Sequence, residues 1–197
     1  MADTYQTDVV VDDGSVIRTT VTSRSRAVSQ FLQPFQGRQG LIVGLDAEWR
    51  PNFEPGGRAN RIAVLQLCVG RRCLVYQIIH DDMFAPALQS FLANPGVSFV
   101  GVGVGKDAQK LLDEYGLQVA NAVDLRPVAA AALWRPELNQ AGLRAVVLAV
   151  MGVNIDKPQR VTLSAWDARD LTLEQVRYAT IDAYVSYEVG RRLLSVE

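Results

Sequence analysis

Histidine is nearly missing from this chain: His80 is the only one in 197 residues. Metal chemistry built on several histidines is therefore excluded within one chain. A Ser-His-Asp triad would have to use that single residue. Cysteine is almost as scarce. Cys68 and Cys73 are too few for a disulfide framework or a zinc site. They read as reduced thiols in a cytoplasmic or nuclear protein. Long hydrophobic runs are lacking too. The most apolar stretch, Ala145 to Val153, falls well short of the roughly 18 residues a membrane span needs, so no membrane association is expected. The opening MADTYQTDVV has no basic-then-apolar secretory pattern. Neither sign of charge prevails: 20 basic and 21 acidic residues leave a net charge of -1. That balance excludes a polycationic nucleic-acid coat and an acidic disordered tail. Lysine is rare, with 3 against 17 arginines. The planar arginine fork suits phosphate, and a genomic bias toward arginine codons explains the ratio equally well.

What is present is material for a core. Apolar residues make up 49% of the chain, enough for one domain over residues 1–197. Asp8 to Asp12 and Ser15 to Ser23 are rich in Val, Ile and Thr around Asp13-Gly14, which predicts an N-terminal β-hairpin over about 5–23. Ser25 to Phe35 reads as a short helix. Gly40 to Trp49 reads as a buried strand, followed by a Gly/Pro-rich loop over 50–60. Strands are expected at 61–69, 73–77, 97–102 and 122–125. Helices are expected at 83–93, 106–115, up to 134, at 139–151, and from Thr172 as N-cap to about Leu194. The segment 152–170 reads as a loop. This order predicts an α/β fold with a mixed central sheet flanked by helices, its core at about 40–195.

The chemistry gathers on acids. Asp46 and Glu48 end an otherwise apolar strand and point to one face, because alternate strand residues do. Two such charges repel each other and resist burial, and a divalent cation relieves both costs. Taken alone, the pair is read equally well as exposed charge at a strand end. Asp107 follows FVGVGVGK at an expected helix start, where an acid commonly serves the helix dipole. The glycine run misses the dinucleotide fingerprint, since Lys106 stands where its last glycine is needed. A nucleotide-cofactor oxidoreductase is therefore disfavoured. Tyr178 and Asp182 lie four apart on the last helix and share a face. A buried Asp182 needs a partner, whereas a tyrosine there also serves as plain core.

Together these residues carry a resemblance. GLDAEW, GVGVGKDAQKL and YATIDAY resemble the three motifs of the DEDD superfamily of 3′–5′ exonucleases, tyrosine subtype, on the ribonuclease H-like fold. DAEWRPN, VLQLCV, VDL and SAWDARDLTLEQVRYATIDAY are similar to the Werner-syndrome-type exonuclease domain. The small size and the hairpin resemble its stand-alone plant members, such as the RISC-interacting clearing exoribonucleases.

The resemblance implies that Asp46, Glu48, Asp107 and Asp182 hold two ions, Mg²⁺ or Mn²⁺, which suit hard oxygen ligands. It implies that Tyr178 orients the attacking water, and that 5′-mononucleotides leave the 3′ end of single-stranded nucleic acid, RNA favoured slightly over DNA. It also implies a homo-oligomer, a hexameric ring among the plant members, and an RNA-silencing protein as partner. Candidate substrate contacts are Trp49, able to stack on a base, and Arg50 and Arg61, able to meet phosphate. Each has a plainer reading as a packing or solvated residue. A catalytically silent binding module on the same fold is the alternative.

Overall fold

The computed structural model describes residues 3–195. Strands β1 (Thr4–Val10) and β2 (Val16–Thr22) form the hairpin, and α1 (Ser25–Leu32) follows. Next come β3 (Leu41–Glu48), β4 (Val64–Val69), β5 (Arg72–Tyr76), α2 (Pro86–Leu92) and β6 (Val97–Gly101). The rest is α3 (Val104–Tyr115), β7 (Ala122–Asp124), α4 (Leu125–Ala132), α5 (Leu143–Met151), α6 (Gln159–Thr162) and α7 (Leu173–Leu194).

The strands form a seven-stranded sheet in the order β1-β2-β5-β4-β3-β6-β7. β3 is antiparallel to β4 and parallel to β6, so the sheet is mixed, as expected. Its two faces divide the core. Val43, Leu45 and Ala47 of β3 join Leu65, Leu67 and Leu74 under Phe31, Leu88, Phe91 and Leu111 of α1, α2 and α3. The opposite face receives α4, α5 and α7, with Val100, Ala129, Val146, Val147 and Val189 buried there. Among the described residues, no helix is long and apolar enough to cross a membrane.

Differences from the expected elements have local causes. The first strand begins at Thr4 because β1 pairs with β2 in register from Thr4↔Thr22 to Val10↔Val16. The helix expected from 139 begins at Leu143, with Gly142 as its extended N-cap and a separate 3₁₀ turn at Pro136–Gln140. The helix expected from 106 starts two residues earlier, at Val104, because Gly103 takes a left-handed φ of 72° as N-cap. The segment 152–170 is not wholly loop, since it contains α6.

The cysteines correct a chemical expectation. They are not reduced thiols: Cys68 and Cys73 form a disulfide. The turn at Gly70-Arg71 folds β5 back on β4 and places these two residues opposite each other, Cα to Cα 4.2 Å. A spacing of five becomes a cross-strand pair, which counting cysteines does not reveal.

α7 lies on β3 with almost nothing between them. A methyl group added at Gly44 would collide with the Ala183 carbonyl and sit 2.7 Å from the Tyr187 amide nitrogen. Glycine here is what brings Asp182, one residue before Ala183, beside Asp46, two residues after Gly44. Gly44→Ala should lower stability by roughly 1–3 kcal/mol, the usual cost of overpacking. At about 2–4 °C per kcal/mol for a chain this size, that is a loss of several degrees in a thermal melt. An unchanged Tm would show that α7 moves off the sheet freely.

Candidate active site

The site begins at the end of β3. Asp46 and Glu48 point to the α7 face, and α7 presents Asp182 to them. One carboxylate oxygen from each of Asp46, Glu48 and Asp182 lies within 4.8 Å of the others. Asp182 is 1% exposed. Asp107, in the first turn of α3, is also buried. It stands outside that tight group of three but feels the charge of Asp46.

Like charges drawn out of water disfavour ionisation, and all four acids respond: Asp107 and Asp182 are buried, Asp46 and Glu48 half-buried at the surface but enclosed by protein. Burial is the main cause in each case. It raises Asp46, opposed by the Lys157 ammonium. It drives Glu48 well above the usual carboxylate range, helped by the charges of Asp46 and Asp182. It pushes Asp107 up to about 8, with Asp46 adding to the effect, and Asp182 up to about 7 against the pull of Lys157. The arrangement is short of positive charge. A hard divalent cation fits such a donor set, which offers only carboxylate oxygens.

Sequence reasoning passes over Lys157, which lies in the segment read as loop. Its Nζ donates to Asp182 Oδ2 and stands 4.8 Å from the centre of the Tyr178 ring. Burial opposes the lysine's charge, but the carboxylates of Asp182 and Asp46 outweigh it and hold the ammonium protonated. The signal in the sequence is faint: one of only three lysines in an arginine-rich chain.

Tyr178 is buried one turn before Asp182. Its hydroxyl shares a hydrogen bond of 2.9 Å with the Thr162 hydroxyl. Burial, with Asp182 nearby, raises its pKa above the ordinary phenol value. Thr162 is in turn fixed by Trp166, which is fully buried and donates from Nε1 to the Thr162 carbonyl at 3.2 Å. The start of α7 locks the same segment. Thr172 and Gln175 form a reciprocal capping box, with Thr172 Oγ1 accepting from the Gln175 amide at 3.1 Å and Gln175 Oε1 from the Thr172 amide at 2.9 Å. Gln175 Nε2 donates onward to Ser164 Oγ at 2.9 Å.

The candidate substrate contacts have protein partners. Trp49 is half-buried against the α1–α3 core, and the Lys110 ammonium lies 5.0 Å from its ring centre. Arg50 donates to Asp167 at 2.7 Å. Arg61 stacks over the Tyr115 ring at 4.4 Å and donates to the Glu114 carbonyl at 3.2 Å.

Known proteins resemble this chain. A family described as 3′-5′ exonuclease matches residues 20–196. A 3′-5′ exonuclease of Arabidopsis thaliana is 30% identical over 177 residues, covering 89% of this chain and 60% of that protein. The mouse bifunctional 3′-5′ exonuclease/ATP-dependent helicase WRN is 34% identical over 155 residues, covering 78% of this chain and 11% of the relative. The chain thus spans less than two thirds of the length of either relative. Among solved structures, Trypanosoma brucei RNase D in complex with RNA U12 superposes with a TM-score of 0.75 at 19% identity, over 91% of this chain and 63% of that one. At that identity the likeness is one of fold.

Proposed function

This chain belongs to the 3′–5′ exonuclease family, and on that premise we propose that its carboxylate cluster removes 5′-mononucleotides from the 3′ end of single-stranded nucleic acid, RNA ahead of DNA. The observation that carries the reading is the convergence of Asp46, Glu48 and Asp182 within 4.8 Å, with buried Asp107 near enough to feel the charge of Asp46. The preference for RNA follows from the resemblance to the stand-alone plant members.

Asp46, Glu48, Asp107 and Asp182 would hold two divalent ions, Mg²⁺ or Mn²⁺. Bound there, such ions supply Lewis-acid activation of water and neutralise charge at the scissile phosphate. The protein's own contribution is placement. In the reaction a water oxygen bonds to phosphorus, the P–O3′ bond breaks, and the shortened strand leaves with a protonated 3′ hydroxyl. Tyr178 aims the water. Its phenol stays protonated at neutral pH, so it acts as a hydrogen-bonding guide rather than a base. Thr162 fixes the hydroxyl's direction. Lys157 balances part of the carboxylate charge and stands ready for the anionic strand. Trp49 stacks on a base, and Arg50 and Arg61 contact phosphate once their present partners yield. The same reading includes a homo-oligomer, as in the ring-forming plant members. Equilibrium sedimentation showing only a 21.6 kDa species at micromolar concentration would reject it.

The test is digestion of matched 5′-labelled single-stranded RNA and DNA in Mg²⁺, Mn²⁺ and EDTA. The expected result is a ladder shortening from the 3′ end, lost in EDTA, with RNA cut faster. No shortening in either metal would point to the silent binding module. Tyr178→Phe should retain residual cleavage, reduced about 10- to 100-fold, the scale of a misoriented reactant. Complete loss in a variant that melts like the parent would make the phenolic hydroxyl indispensable and reject the orienting role.

A further inference from the structure

Gln66 lies in the middle of β4 and is fully buried. Neither its Nε2 nor its Oε1 meets a hydrogen-bond partner. Buried polar groups nearly always find one, and a carboxamide left without any is costly compared with an apolar side chain of the same size. The position does not ask for polarity on packing grounds. Its cross-strand neighbour on β5 is Val75, and the next residues on its own side of β4 are Val64 and Cys68, all buried.

Its other cross-strand neighbour is Asp46. Residues paired in this way have Cβ atoms about 4.5–5.5 Å apart, within reach of a glutamine head group. Both side chains stand on the α7 face. Asp46 Oδ1 accepts one hydrogen bond, from the Ala47 amide at 3.0 Å, and has further lone pairs to give. The amide is chemically apt beside this cluster. It donates without adding negative charge to a group already rich in it. It also brings no positive charge to compete with an ion, as Lys157 does at Asp182.

We infer that Gln66 is a positioning residue: once an ion is bound, its carboxamide, unpartnered in this structure, turns to donate to the neighbouring Asp46 carboxylate and holds it toward the ion. The inference rests on the reading of the cluster as a divalent-ion site. Groups of this kind, one step removed from the ion, orient ligands and strengthen their grip.

Binding of Mn²⁺ alone, with no nucleic acid present, tests it. Wild type, Gln66→Met and Asp46→Asn are titrated with Mn²⁺ by calorimetry and melted in EDTA. Gln66→Met keeps the length of the side chain and deletes the amide. It should weaken Mn²⁺ binding roughly 10- to 100-fold, while melting in EDTA at or above the wild-type temperature. Wild-type Mn²⁺ affinity in Gln66→Met, alongside lost binding in Asp46→Asn, overturns the inference and leaves the ion site standing. Unchanged binding in Asp46→Asn overturns the ion-site reading itself, and with it the role of Gln66. If the methionine variant melts below the working temperature, the smaller Gln66→Leu carries the same comparison.

Discussion

Asp46→Asn should abolish cleavage and, in EDTA, raise the melting temperature. Both effects come from the same half-buried, crowded charge. Asp46 sits in a group of three carboxylates within 4.8 Å, and burial raises its pKa. A carboxyl whose pKa is raised by folding favours the folded state only while it is protonated. That stability is full below the unfolded value, about 3.9, and drains away as pH rises through the folded value. At neutral pH the ionised group therefore works against folding when no cation offsets it. An asparagine removes that cost, so the variant should gain stability over wild type at pH 7 in EDTA. Near pH 3, where the wild-type carboxyl is protonated in both states, the gain should vanish. Adding Mn²⁺ should reverse the ranking, because ligand binding stabilises only the protein that binds it. Cleavage should fall at least about a thousandfold, equivalent to roughly 4 kcal/mol of transition-state stabilisation. Thermal melts at the two pH values, with and without Mn²⁺, and the RNA ladder check all of this. A variant that melts lower than wild type in EDTA at pH 7 would show that the Asp46 charge is already satisfied within the protein, by Lys157 above all.

Much of this site is legible in the amino-acid sequence. Alternation along β3 puts Asp46 and Glu48 on one face, and helical spacing puts Tyr178 and Asp182 on one face of α7. These are local geometries, set by periods of two and 3.6 residues. What the sequence hides is pairing between distant segments. Lys157 gains meaning only through Asp182, 25 residues away. Gln66 gains it through the β3–β4 register. Cys68 and Cys73 become partners only because the turn between β4 and β5 fixes which residues face each other. Arg61 shows the converse. Its position in the chain suggests phosphate, and tertiary packing gives it the face of Tyr115. Gly44 belongs with these. Nothing in LIVGLDAE announces that the backbone of a distant helix, at Ala183 and Tyr187, will rest against that one residue.

Trp166→Ala should be the most destabilising single change, and it should disable the site from a distance. Trp166 is fully buried, packed with Val161, Leu171, Val176 and Tyr178. Its ring lies 5.8 Å from that of Tyr178, centre to centre. Removing a buried tryptophan costs about 3–5 kcal/mol, which for this size of chain lowers Tm by roughly 6–20 °C. The loss also frees the Thr162 carbonyl that the indole holds, and with it the hydroxyl that fixes Tyr178. Lys157 is anchored from the same segment, one residue before the N-cap of α6. Below its melting point, Trp166→Ala should therefore bind Mn²⁺ nearly as wild type does, since the four acids lie on other elements, yet cleave more slowly. Trp166→Phe, which fills most of the space but lacks the Nε1 donor, should recover most of the Tm and less of the rate. Full recovery of both by phenylalanine would reduce the tryptophan to a space-filling residue and break the link from its indole through Thr162 to Tyr178.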